Sequence, residues 1–272
     1  MPTIDSERVT LYYEQDGHGD PALVFLHGFG CDHRYFSPQF EYFGLSRMVV
    51  AFDMRGHGRS IQSSHSYAVR DFADDIIWAI ERLGLAKPVV VGHSLGGAVT
   101  LELAARRPDL ISGAILVDAL VTTDEVRPGI RRVVDALKSI EFERVAQGLV
   151  DGLFATADDP QTRLRISEQM LSSPQPLWID CFTALAEWDG ASAAKSCEVP
   201  MLHIGAIVPS AEVQELNEAI LTARTVGAGH FNQLEVPEQV NPMIEKFLSI
   251  LVQFDKAAEP STWDLVVGDR AQ

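Results

Sequence analysis

The stretch PVVVGHSLGGAVTLELAARRP, residues 88–108, decides the architecture. It opens as a short β-branched run without polar alternation, the pattern of a strand buried on both faces. It continues as a helical run of small and apolar residues that Pro108 ends. Between the two lies Gly92-His93-Ser94-Leu95-Gly96, a G-x-S-x-G on a strand-to-helix turn. Such a turn holds its serine in a strained backbone and exposes the hydroxyl at the carboxyl end of the sheet, where open α/β folds bind ligands. Amides at the start of the following helix point at the same spot and favour negative charge there. A Gly-rich turn alone carries no chemistry. The strand before it, the helix after it and two further motifs make Ser94 the expected nucleophile.

Outward from this turn, β-branched runs alternate with helical patterns, which argues for a mostly parallel sheet with helices on both faces. ALVFLHG (22–28), MVVAFD (48–53), GAILVDA (113–119), PMLHIGA (200–206) and ARTVGAG (223–229) read as strands. Phe72, Ile76, Ile77, Ile80 and Leu83 fall at helical spacing, with Gly84 as the stop. Residues 237–251 read as a closing helix. The strand rhythm breaks from Val121 to Ser196, where only helices and loops are expected. This divides the chain into a core (1–120 and 197–255), an inserted helical lid or cap (121–196) and a loosely ordered tail (256–272). The lid contributes Phe142, Leu153, Phe154, Met170, Trp178, Phe182 and Trp188, most of them as lid core, with Trp178 and Phe182 the candidates to line an apolar substrate pocket.

His27-Gly28-Phe29-Gly30 follows the first buried run. A tetrahedral intermediate needs amide donors aimed at its oxyanion. The backbone N–H groups of Phe29 and Leu95 are the expected pair. Gly227-Ala228-Gly229-His230-Phe231 follows the last strand pattern, and a histidine there reaches the nucleophile over the sheet end. Serine needs such a base to react, and His230 is the expected one. His27 and His93 read as structural neighbours of the site, and His57 sits in a loop motif, Asp53–Ser60. No histidine pair has metal-ligand spacing with a helping carboxylate, so no metal is expected. No cofactor is required.

HGFG at 27–30, DMRGHGRS at 53–60, GHSLGG at 92–97 and GAGHF at 227–231 together resemble the α/β-hydrolase superfamily over nearly the whole chain. The resemblance implies an eight-stranded, mostly parallel sheet and a helical lid between the family's sixth and seventh strands. It also implies a catalytic acid that completes a Ser-His-acid triad. The family's usual acid lies in a loop after its seventh strand. That loop is here Gly205-Ala206-Ile207-Val208-Pro209-Ser210, with no carboxylate. A minority of the superfamily carries the acid after strand six, where this chain has Asp118. The placement resembles haloalkane dehalogenases and the fungal hydrolases that open the lactone zearalenone. Tyr12-Tyr13-Glu14-Gln15, Asp53-Met54 and Gly205-Ala206 with Pro209 add to the latter likeness. Asp118 is therefore the expected acid, with Glu212 as the alternative.

The bulk numbers bound the function class. A net charge of −16 over 272 residues repels nucleic acid and anionic membranes, so neither is an expected partner. The chain starts without a basic stretch leading into an apolar run, and no run is long enough to span a bilayer. Cys31, Cys181 and Cys197 cannot all pair within one chain, and a reducing cytoplasm fits them. The expected activity is acyl transfer from a small apolar ester or lactone through an acyl-enzyme. Two alternatives remain open. One is carbon–carbon bond hydrolysis or cofactor-free oxygenation on the same residues. The other is a ligand-binding sensor with vestigial hydrolysis. The sequence leaves the oligomeric state open.

Overall fold

The computed structural model describes residues 2–62, 66–155, 159–207 and 211–258. Its frame is one sheet. The first strands are β1 (Thr3–Asp5), β2 (Val9–Asp16), β3 (Leu23–Leu26), β4 (Val49–Phe52) and the two-residue β5 (Ile61–Gln62). They are followed by β6 (Val89–His93), β7 (Gly113–Val117), β8 (Met201–Gly205) and β9 (Leu221–Arg224). Eight of these run side by side in the order β1-β2-β4-β3-β6-β7-β8-β9, and β5 pairs with β2 off that path. Pairing is antiparallel for β1, β2 and β5 and parallel from β4 to β9. The expected eight-stranded, mostly parallel sheet is therefore present, with β5 as an addition.

Period-two alternation feeds two cores. Val89 and Val91 of β6 face a cluster with Leu23, Phe25, Ile115 and Val117. Helices α1 (Ser37–Gly44) and α11 (Pro237–Ala258) cover it, the latter through Val240, Ile244 and Phe247. Val90 faces the other side with Val24, Leu26, Ala114 and Leu116. Here α2 (Val69–Leu83) and α3 (Leu95–Arg106) lay down Phe72, Ile76, Ile80, Val99 and Leu103. Both faces are covered, which is why these strands read as unbroken apolar runs. Gly84 ends α2 at φ +66°, the left-handed cap that its position in the sequence required.

Among the described residues, five helices lie between β7 and β8: α4 (Arg127–Leu137), α5 (Phe142–Asp151), α6 (Pro160–Leu171), α7 (Gln175–Glu187) and α8 (Gly190–Ser196). Helices α4 and α7 pack together, as do α5 and α6, while α8 lies against α3 and against α9 (Ala211–Leu216). A short helix α10 (Asn232–Glu235) precedes α11.

Two boundaries differ from the sequence reading. Strand β9 is Leu221–Arg224 rather than residues 223–229, because the chain turns at Gly227 with φ +78°. As an outer strand with mostly exposed residues, β9 lacks the apolar run that marks a buried one. Helix α11 runs to Ala258, beyond the Leu251 end read from the sequence, and the expected tail lies mostly outside the described residues, which end at 258.

Strand order locates the site. The chain steps from β3 outward to β4 and then returns to β6 on the other side of β3. Such a reversal opens a crevice at the carboxyl ends of β3 and β6. Leu26 pairs with Gly92 across these strands, and His93 pairs with Val117 across β6 and β7. The loop after β3, the turn after β6 and the residue after β7 therefore leave the sheet side by side.

Candidate active site

Ser94 sits between β6 and α3 with φ +53° and ψ −117°, a conformation that L-residues rarely adopt. The surroundings hold this strain in place. Its N–H donates to the Val117 carbonyl at 3.1 Å, and its own carbonyl accepts from Gly97 at 2.9 Å, starting α3. The turn is possible because Gly96 lies against the Leu26 and His27 carbonyls, where a Cβ would collide. Gly28 provides the second close approach. A Cβ there would lie 2.8 Å from Nδ1 of His93 and 3.1 Å from the Cβ of Ser94. The His27–Gly30 loop is thus pressed against the serine. Among the described residues, neither the Phe29 nor the Leu95 amide donates to another protein atom.

Asp118 follows β7 and is fully buried, again with positive φ, +42°. Its Oδ2 lies 2.7 Å from Nδ1 of His230. Its Oδ1 accepts the Ala206 N–H at 2.6 Å. The loop after β8 has no carboxylate between Gly205 and Ser210. It contributes instead a backbone amide that holds the buried acid of the neighbouring strand. The structure thus brings Asp118 and His230 together. Glu212, the alternative acid, falls in α9, and its side chain lies outside the described residues.

His230 is held by its backbone as well as its ring. Nε2 of His93 donates to the His230 carbonyl at 2.8 Å, with the two ring centroids 4.6 Å apart. Burial, followed by the nearby His230 charge, pushes His93 well below the usual histidine range, so it stays a neutral donor. The His230 N–H donates to the Leu153 carbonyl at 2.7 Å, between α5 and α6. The sequence signalled neither tether in this form. His93 read only as a structural neighbour, and a backbone carbonyl leaves no mark in side-chain pattern.

The lid candidates separate. Trp178 is 1% exposed, with its ring 4.5 Å from Phe29 and 6.3 Å from Phe142. Phe182 is half-buried, 5.6 Å from Phe29 and stacked on Trp178 at 5.8 Å. Both therefore press on the ring of Phe29, but only Phe182 retains appreciable open surface.

One acid cluster has ligand-like spacing: Asp32, His33 and Asp53 offer atoms within 4.8 Å of one another. Protein donors occupy these acceptors. Asp53 accepts from the His33 amide and ring at 2.8 and 2.7 Å and from the Arg59 amide at 2.7 Å. Asp32 accepts from Arg34 and from Gln169. The other nitrogen of His33 lies 3.2 Å from Glu14. The cluster reads as a charge network.

Residues 21–237 match the family model described as alpha/beta hydrolase fold. The chain belongs to this family. The hydrolase-fold chain is 35% identical over 136 residues to an (E)-2-((N-methylformamido)methylene)succinate hydrolase of Acinetobacter baylyi, covering 50% of this chain and 51% of that protein. It thus spans about half the length of that relative. A 3-oxoadipate enol-lactonase of the same species is 24% identical, over 89% of this chain and 94% of the relative. Among solved structures, a thermophilic esterase from Thermogutta terrifontis superposes with TM-score 0.80 at 23% identity. That match covers 92% of this chain and 99% of the esterase, and it shows the shared fold. Among the described residues, no helix is long and apolar enough to cross a membrane.

Proposed function

We propose that this hydrolase-fold protein cleaves a small carboxylic ester or lactone through a covalent acyl-enzyme. Ser94 attacks the carbonyl while His230 takes its proton. Asp118 holds the imidazole in the tautomer that presents Nε2 to the serine, and it stabilises the imidazolium that forms. The free amides of Phe29 and Leu95 hold the oxyanion at the head of α3. His230 then protonates the leaving alcohol, and water clears the acyl group by the reverse steps. In this reading the helices between β7 and β8 form the lid over the acyl pocket, with Phe182 on its wall.

The observation that carries the reading is the 2.7 Å contact of His230 with Asp118, in a chain whose Ser94 stands strained at the start of α3. The enol-lactonase and esterase likenesses are in keeping with it. The test is a fluorophosphonate probe with a panel of p-nitrophenyl esters, simple lactones and macrolactones. Wild type takes one adduct, on Ser94, and Ser94→Ala takes none. An adduct elsewhere, or none on an active enzyme, overturns the assignment.

The Asp118–His230 pair is complete without the serine, which favours one second reading: proton abstraction from a carbon acid, leading to carbon–carbon cleavage or cofactor-free oxygenation. Turnover that survives Ser94→Ala on such a substrate distinguishes it.

A further inference from the structure

His230 is approached by a chain with little stiffness of its own. Gly227, at φ +78°, and Gly229 flank Ala228 just before it. A loop of this kind does not by itself hold an imidazole to the tolerance that proton transfer requires. Three hydrogen bonds compensate. Asp118 takes the ring at Nδ1, His93 takes the backbone carbonyl, and Leu153 takes the backbone N–H. The first two partners belong to the sheet ends. The third belongs to the segment between α5 and α6, inside the insertion.

That segment is itself anchored on both sides. Phe154 stacks on Phe231, the residue after the base, with centroids 5.8 Å apart and planes 30° apart. Phe231 is 1% exposed, and its ring centre lies 5.2 Å from that of His93, next to Ser94 in the strand-to-helix turn. Arg163 of α6 also lies 5.1 Å from the centre of the Phe154 ring and pairs with Asp151 of α5 at 3.1 Å. The same insertion also rests on the loop after β3. Gly30 abuts Met170, and Gln169 donates to Asp32 at 3.0 Å.

We infer that Leu153 and Phe154 form a positioning element for His230, so that seating of the insertion on the core and alignment of the base are one event. Phe154 acts through Phe231 and through the Leu153 carbonyl beside it; it is a positioning residue and touches no reacting atom.

The inference rests on His230 as the base, and the experiment separates the two. Phe154→Ala is expected to lower kcat about 10- to 100-fold, the scale of a small misplacement of a catalytic group, with KM little changed. Labelling of Ser94 by a fluorophosphonate slows by the same factor, and Phe154→Tyr, which keeps the ring, restores both. Proton NMR reads the geometry without turnover. The Nδ1–H signal of His230 is sharp in wild type and broadened in Phe154→Ala. A raised KM with unchanged kcat makes Phe154 a pocket wall and overturns the inference. So does an unchanged Nδ1–H signal in Phe154→Ala. If wild type cleaves no ester, the hydrolase reading fails, and the NMR comparison still decides whether the insertion positions His230.

Discussion

Nδ1 of His230 lies 2.7 Å from Oδ2 of Asp118, a buried carboxylate 112 positions earlier in the chain. Sheet register makes the meeting possible. Val117 pairs with His93, so the residues that follow them, Asp118 and Ser94, leave neighbouring strands at the same level. The amide of Ala206 holds the far oxygen of the acid. The loop after β8, which has no carboxylate between Gly205 and Ser210, thereby supports the buried acid after β7.

Asp118→Asn is expected to keep the fold and to lower turnover by about four orders of magnitude, because the amide holds the imidazole in the wrong tautomer. Asparagine tolerates the positive φ at this position, so the loss reports chemistry rather than strain. Glu212→Gln leaves turnover unchanged. Steady-state rates on one activated ester, with circular dichroism as the fold control, check both. A large loss in the Glu212 variant would return the acid to its commoner place.

The buried half of this molecule was legible because both sheet faces are covered. Short continuous apolar runs such as Val89–Val91 and Leu23–Leu26, bounded by turn residues, read as strands buried on both faces. The edges were not. β1, β2 and β5 are antiparallel and partly exposed and went unread, and β9, which carries no apolar run, was read with shifted bounds. Motifs fixed Ser94 and His230 as candidates, since turn chemistry is local. Between Asp118 and Glu212, spacing left two options, and strand register alone brings one of them to the histidine. The tether from Leu153 is a backbone carbonyl on an irregular segment, invisible to any pattern of side chains.

Gly28→Ala tests the pressure of the loop after β3 on the turn that carries Ser94. The added methyl meets His93 and the Cβ of Ser94, neither of which is the end of a long flexible chain. Either the loop moves outward, taking the Phe29 amide with it, or the Ser94 turn shifts. A lost oxyanion donor costs about 100- to 1000-fold in kcat. The expected signature is a drop in kcat of at least the lower of these with modest change in melting temperature. Full activity would mean that Phe29 is no donor.

Trp178 and Phe182 should respond differently. Trp178 is buried against Phe29 and Phe142, so Trp178→Ala costs about 3–5 kcal/mol of stability, as for other large aromatic truncations in cores. Phe182 is half-buried and faces the same Phe29 ring. Phe182→Ala should change the ratio of rates on short and bulky esters with little effect on the urea midpoint. The reverse pattern, stability lost at Phe182 and selectivity at Trp178, would exchange their roles.

The last prediction concerns pH and runs in two directions. His33 lies between the carboxylates of Asp53 at 2.7 Å and Glu14 at 3.2 Å, with Asp32 nearby. Burial pushes its pKa down, but these acids outweigh burial and hold it above the ordinary 6.5. A raised value means that the folded state binds the proton more tightly. This contribution is whole below about pH 6.5 and is lost as the pH rises through the folded value. His57 is the opposite case. Burial, then the charge of His27, lowers it to about 3, although its Nδ1 donates to the Arg55 carbonyl at 2.8 Å. Its contribution is whole above the ordinary 6.5 and is lost as the pH falls towards about 3, because the unfolded chain takes a proton that the folded one refuses. Urea midpoints measured from pH 4 to 9 should therefore fall at both ends. His33→Gln should flatten the alkaline limb and leave the acid limb. His57→Gln, which removes the titrating ring, should flatten the acid limb between the same limits. A His33→Gln profile that still falls above pH 6.5 with the wild-type slope would show that His33 carries no extra proton in the folded state.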